Sequence, residues 1–232
     1  MNRAYRQVPI VESGEPLVEL PPALLRFKPH PYVALGAPYG RISPFCLRSG
    51  VVERLLAAQR ILQTNDSALR LIIFDAYRPI AVQQFMVDWT FADLVSHAGL
   101  DAQRLTAQQR SELVEQVHRF WAEPSLDPAT PPPHSTGAAV DLTLASASGK
   151  PVAMGGEIDE ISERSFPAHY SQDQTETGKR FHHCRTLLLT AMASAGFQQH
   201  PGEWWHFSYG DQLWAFYQQQ PTAIYGRSEA YC

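Results

Sequence analysis

Two short segments restrict what this chain can fold into. In the first, His134-Ser-Thr-Gly-Ala-Ala-Val-Asp141 runs on into Leu142-Thr-Leu144; in the second, Glu203-Trp-Trp-His206 runs on into Phe-Ser-Tyr-Gly210. Val140, Leu142 and Leu144 alternate with Ala139, Asp141 and Thr143, so a strand here turns its aliphatic side to a core and Asp141 to the opposite face. Gly137 marks a turn or a close backbone approach just ahead of it. The aromatic run from Trp204 to Tyr209 predicts a second strand. In a strand a spacing of three sends Glu203 and His206 to opposite faces, so Glu203 belongs in the turn that Pro201-Gly202 opens.

The rest of the chain supplies a frame for these two segments. Residues 1–50 are rich in proline, with Pro21-Pro22 and Pro29-His-Pro31 breaking any periodicity, and read as an arm with short strands packed on the body. From Val51, the residues Val52, Leu55, Leu56 and Leu62 recur at helical spacing until Asn65-Asp66-Ser67. Leu69 to Phe74 is a dense apolar run, a buried strand that delivers Asp75-Ala-Tyr-Arg-Pro79 at its end. Ile80 to about His97 and Thr106 to about Trp121 read as amphipathic helices, the second with Leu113, Val114, Val117 and Trp121 on one side. The proline-rich stretch 124–133 is a stiff lead into His134. Residues 145–180 are polar and carry several glycines, a long functional loop or lid. Phe181 to Ala195 is helical with Gly196 as its stop, and Asp211 can cap a last helix, Gln212 to Gln219. The predicted fold is a single α+β domain: residues 1–50 the arm, residues 51–232 the main body, with a small, largely antiparallel sheet flanked by helices.

Composition removes several classes of function. The 19 basic and 23 acidic residues give a net charge of -4, with no basic run that would track a phosphate backbone, so nucleic acid is not an expected partner. No stretch reaches the roughly 18 uninterrupted apolar residues of a membrane span, and no apolar leader follows the N-terminal arginines, so a cytoplasmic location is expected. Cys46, Cys184 and Cys232 are odd in number and widely spaced, indicating neither a disulfide framework nor a thiolate metal site. Oligomeric state is open at this level.

Two imidazoles and a carboxylate are the donors of a hydrolytic zinc site, which keeps a fourth position for water and lowers that water's pKa to about 7. His134, Asp141 and His206 are therefore the expected ligands of one zinc ion per chain, and Glu203 the base that takes the water's proton and returns it to a leaving amine. Each part alone has a plainer reading: a hydrogen-bonded structural histidine, a strand-end aspartate, a solvated turn glutamate, a tryptophan pair in the core. Arg78, held between a strand and Pro79, could stabilise an oxyanion or form an ion pair with Asp75. An iron oxygenase also uses two histidines and a carboxylate, but its close His-x-Asp spacing is absent.

With Asp75-Ala-Tyr-Arg-Pro79 and Met154-Gly-Gly-Glu-Ile-Asp159 added, the two segments resemble the D-alanyl-D-alanine dipeptidase family, the VanX-type branch of the zinc peptidases. The broader pattern is Ser-x-His-x-x-Gly-x-Ala-x-Asp followed downstream by Glu-x-x-His, here over roughly residues 70–216. The resemblance implies zinc on His134, Asp141 and His206, Glu203 as catalytic base and Arg78 on the polarised carbonyl. It also implies that Asp159 pairs with the free amino group of a dipeptide substrate, D-Ala-D-Ala, in peptidoglycan turnover. Pro132 stands where the family has serine, which removes a hydroxyl from the substrate's surroundings. The alternatives are a D,D- or L,D-carboxypeptidase on longer muropeptides and a zinc-binding recognition domain without turnover.

Overall fold

The computed structural model describes residues 3–228 and 232. The arm holds a 3-10 helix over Arg3–Gln7, strands β1 (Leu17–Glu19) and β2 (Leu25–Arg26), helix α1 (Pro31–Ala34) and strand β3 (Cys46–Arg48). The body continues through α2 (Ser49–Asn65), β4 (Leu69–Asp75), α3 (Ile80–His97) and α4 (Ala107–Phe120). A 3-10 turn over Pro133–Thr136 then leads into β5 (Ala139–Ser146), followed by α5 (Glu176–Ser194), β6 (Gln198–Gln199), β7 (His206–Ser208) and α6 (Gln212–Tyr217). Among the described residues the main sheet has the order β2-β4-β5-β7-β6, with β2 parallel to β4 and every other pair antiparallel. That is the α+β class with a largely antiparallel sheet. No helix of the described residues is long and apolar enough to cross a membrane.

The aliphatic side of β5 does what its alternation requires. Val140, Leu142 and Leu144 are fully buried with Leu71 and Ile73 of β4, Leu55 and Leu62 of α2, and Leu188 and Met192 of α5. Each such side chain taken from water contributes about 1.5–3 kcal/mol. The opposite face is covered too, since Phe74 packs in a second cluster with Tyr32 and Tyr39 of the arm, Val82 and Met86 of α3, and Val117 and Trp121. Burial on both faces explains why Asp141 and Thr143 are as enclosed as their aliphatic neighbours.

A register shift in β4 sets the direction of one polar residue. Ile73 pairs with Leu142 but Asp75 pairs with Asp141, so two residues of β4 oppose one of β5. Simple alternation would put Asp75 on the core side with Ile73; the bulge turns it to the face of Asp141.

Several boundaries differ from expectation for identifiable reasons. Helix α5 starts at Glu176 rather than Phe181, because the Thr175 hydroxyl accepts from the Gly178 N–H and caps it there. Strand β7 is only His206–Ser208; Trp204 and Trp205 lie in the preceding turn and fill the core, each almost fully buried. Val114 is exposed while Leu113 and Val117 face inward. The segment 147–175 is fixed rather than free. The buried Arg185 guanidinium donates to the carbonyls of Met154, Arg164 and Phe166, and the Trp204 N–H donates to Ser165. The cysteine expectation is corrected: Cys46 and Cys232 form a disulfide, joining β3 to the C-terminus, while Cys184 is free and buried. Two cysteines separated by 186 residues give no local spacing signal.

Gly137 is both a turn and a close approach. Its φ is +71°, and a Cβ there would run into the Leu17 side chain. Gly137→Ala is expected to cost about 2 kcal/mol or more, from the left-handed backbone and the overpacking together. A urea melt measures it.

Candidate active site

The fold brings the two segments together. Residue pairing puts Asp141 directly opposite His206, so their side chains leave the same face of the sheet, and the 3-10 turn at the head of β5 swings His134 over them. His206 Nδ1 is 3.0 Å from Asp141 Oδ1 and His134 Nε2 is 3.1 Å from Asp141 Oδ2. The two imidazole nitrogens are 3.2 Å apart. Ligands about 2.0–2.1 Å from a tetrahedral zinc lie roughly 3.3 Å from one another, so these three donors have the separations such an ion needs. All three residues are buried, and their donor atoms form a cluster suited to a metal ion.

The groups behind these donors set their tautomers. His134 Nδ1 donates to the Ala76 carbonyl at 2.8 Å, which leaves the Nε2 lone pair for the cluster. His206 points Nδ1 inward and Nε2 toward the Ser208 hydroxyl at 3.4 Å. Asp211, buried at the start of α6, accepts from the Trp214 N–H and closes that side. Burial opposes ionisation of Asp141, but His134 and His206 outweigh it and hold the carboxyl well below the usual range.

Glu203 occupies the turn expected for it, its N–H donating to the His200 carbonyl. Its Oε2 lies 3.8 Å from His206 Nδ1 and its Oε1 3.7 Å from His200 Nδ1. Burial first, then the nearby Asp141 and Asp159, pushes the Glu203 carboxyl well above its ordinary value. His200 is driven the other way, down to about 3, by burial and then by His206, so it is neutral at physiological pH. A buried carboxylate raised above its ordinary value beside the donor cluster is suited to holding a proton taken from water.

Arg78 combines the two roles left open from sequence. Nε donates to Asp75 at 2.9 Å, Nη1 to Gln83 at 3.0 Å, and Nη2 to both the Tyr32 hydroxyl and Asp141 at 3.2 Å. Four of its five hydrogens are thereby engaged, and one Nη1 hydrogen is left. Asp75 is the hub behind it: besides Arg78 it accepts from His30 Nε2 and the Tyr39 hydroxyl, both at 3.0 Å. Burial would raise Asp75, yet Arg78, His30 and His134 overcome it and keep the carboxyl below its ordinary range.

Asp159 reaches the same cavity from the fixed loop, at a left-handed φ of 64°. Its Oδ2 accepts from the Tyr32 hydroxyl at 2.7 Å. Burial, then repulsion from Asp141, raises its carboxyl to about 7. Thus His134, Asp141, His206, Glu203, Arg78 and Asp159 all line one cavity.

Residues that sequence reasoning did not select also belong here. His30, Tyr32 and Tyr39 come from the proline-rich arm, where no periodicity marks them, and His30 Nδ1 accepts from the Tyr32 and Val33 N–H groups to cap α1. Gln83 and His200 gave no signal beyond being polar residues near a motif. Tyr5 and Arg6 of the first 3-10 helix form part of the cavity wall.

A cavity with a metal-ready His-Asp-His cluster, a buried carboxylate beside it and a guanidinium facing it defines the class: a zinc-dependent peptidase. Residues 26–224 match the family model Peptidase_M15, described as D-ala-D-ala dipeptidase, and the chain belongs to that family. It is 49% identical over 240 residues to a D-alanyl-D-alanine dipeptidase of Synechocystis sp., covering 98% of this chain and 97% of that one. It is 31% identical over 150 residues to a D-alanyl-D-alanine dipeptidase of Escherichia coli, covering 65% and 60% of the two chains. Among solved structures, the LdcB LD-carboxypeptidase overlaps 92% of this chain and 76% of its own at 16% identity, with a TM-score of 0.45.

Proposed function

We propose that this chain hydrolyses D-Ala-D-Ala, or a closely similar dipeptide, in peptidoglycan precursor turnover. It uses His134, Asp141 and His206 to hold one zinc ion and Glu203 as the base. The observation that carries the reading is the meeting of Glu203 and Asp159 with that donor cluster in a single cavity. Bound zinc supplies a Lewis acid and a lowered water pKa. Glu203 takes the proton of the attacking water and delivers it to the departing amine. Arg78, with Asp75, Gln83 and Tyr32 fixing its plane, turns its remaining Nη1 hydrogen to the oxyanion that forms on the carbonyl. Asp159 pairs with the substrate's ammonium, and a longer chain has no ammonium at that point.

The amino-group role gives a pH dependence with a defined sign. Asp159 is raised to about 7, so it is a carboxylate above that pH and protonated below it. The kcat/KM for the free dipeptide is expected to fall as pH drops through about 7, with N-acylated D-Ala-D-Ala showing no such loss from this group. Because the folded-state value is raised, the stability linked to Asp159 is present at low pH and lost as pH rises through about 7. Asp159→Asn, which tolerates the left-handed backbone, should melt higher than the parent at pH 8 while losing its preference for free dipeptides. Equal losses on free and blocked substrates would remove the amino-group role.

The chain is read as one structural domain with residues 1–50 as an arm on residues 51–232, acting without nucleic acid or membrane. A cytoplasmic setting belongs to this proposal; the Cys46–Cys232 bond favours an oxidising compartment instead. Alkylation of thiols after cell fractionation separates the two.

A further inference from the structure

A dipeptide carries two charged ends, and the groups above receive only one of them. We propose that Arg6, in the 3-10 helix of the arm, binds the terminal carboxylate of the substrate and so fixes its length from the opposite end; the inference rests on the dipeptidase reading.

The cavity is lined by charges of both signs. Asp141, Asp159, Glu203 and Glu123 are among its lining residues, so an entering carboxylate meets acids unless a cation receives it. The two arginines lining it are Arg78 and Arg6. Arg78 is nearly saturated, with four of its five hydrogens given to Asp75, Gln83, Tyr32 and Asp141. A bidentate carboxylate needs two parallel donors, which Arg78 does not have left. Pro133 lines the cavity beside His134 and offers no backbone N–H to an anion.

Arg6 has what these groups lack. Among the described residues the acid recorded against it is Glu123, through Nη1 alone at 3.3 Å. Glu123 is about half exposed, 51%, against 17% for the Arg6 side chain, and such a pair contributes about 0–1 kcal/mol. The guanidinium therefore keeps a second edge for a carboxylate.

Its backbone is also held in place. The buried amide of Gln212 on α6 donates to the carbonyls of Arg6 at 3.1 Å and Val8 at 2.7 Å, and to Ala129 at 3.0 Å. A side chain spent on pinning the arm across the cavity is explained if the arm contributes to binding. With Asp159 taking the ammonium and Arg6 the carboxylate, a short zwitterion with both ends free is the ligand that satisfies both.

The test compares D-Ala-D-Ala with D-alanyl-D-alaninamide, which lacks the terminal charge, on the zinc-loaded full chain and on Arg6→Gln and Arg6→Lys. The parent is expected to favour the free acid strongly. Arg6→Gln is expected to lower kcat/KM for the acid about 10- to 100-fold, the range of a charged hydrogen bond. The effect should appear mainly in KM, with the amide unchanged within about twofold and Arg6→Lys restoring part of the loss. The ratio of the two substrates does not depend on how much of a variant folds. An unchanged acid-to-amide ratio in Arg6→Gln, whether both rates fall together or neither does, overturns the carboxylate role while leaving the dipeptidase reading intact. A parent enzyme that cleaves neither substrate overturns that reading and this inference with it.

Discussion

Glu203→Gln retains its zinc and loses about two to four orders of magnitude in kcat, the share that a positioned proton carrier contributes. The amide keeps the size and much of the hydrogen bonding of the carboxyl, so the turn entering β7 and the position of His206 are preserved. What it removes is a site for the proton, first from water and then for the amine. The carboxyl is pushed upward by burial and by Asp141 and Asp159, so the glutamine also relieves a buried charge, and the variant is expected to melt at or above the parent temperature. A stable, zinc-loaded, inactive protein is thus the specific signature. Zinc content, a thermal melt and turnover on one preparation check all three parts, and a zinc-loaded variant with parental turnover removes Glu203 from the mechanism.

Arg78→Met carries the second large effect, on stability as well as rate. Asp75 and Asp141 lie 2.8 Å and 3.2 Å from this guanidinium and are both buried, so its removal strands two carboxylates. Breaking a buried pair in this way costs about 3–5 kcal/mol, a large part of the 5–15 kcal/mol that a typical domain has. Catalysis suffers separately, because the Nη1 hydrogen facing the cavity is lost. Lysine does not restore the arrangement: a point charge cannot reach Asp75, Gln83, Tyr32 and Asp141 at once. Denaturant melts beside kcat measured well below the melting point distinguish the two losses. A variant as stable as the parent would mean that Asp75 and Asp141 are held by His30, Tyr39 and the two site histidines without it.

Much of this architecture is legible in the residues because it follows from local pattern. Alternation in Val140 to Leu144 gives the strand and the face of Asp141, and Pro201-Gly202 puts Glu203 in a turn. Gly196, at a left-handed φ, stops α5 as expected. The parts that escaped depend on pairing between distant segments. The β4 bulge that reverses Asp75 exists only in relation to β5, and nothing in Leu69 to Asp75 announces it. The arm is the larger omission. Its prolines suppress periodicity, so His30, Tyr32, Tyr39 and Arg6 carry no signal, although three of them tie directly into the Asp75, Arg78 and Asp159 network. Residue count misled in the cysteines, since an odd total hid one long-range pair.

The central claim is that the His134, Asp141 and His206 cluster holds the zinc with which Glu203 cleaves a free D,D-dipeptide. It is tested most directly by assaying hydrolysis of D-Ala-D-Ala, N-acetyl-D-Ala-D-Ala and L-Ala-L-Ala by the metal-quantified protein, before and after chelation and after zinc is restored. The account predicts one zinc per chain, cleavage of the free D,D-dipeptide alone, its loss with the metal and its return with zinc. Cleavage that survives complete removal of the metal, or a zinc-loaded protein that leaves D-Ala-D-Ala intact, would contradict it.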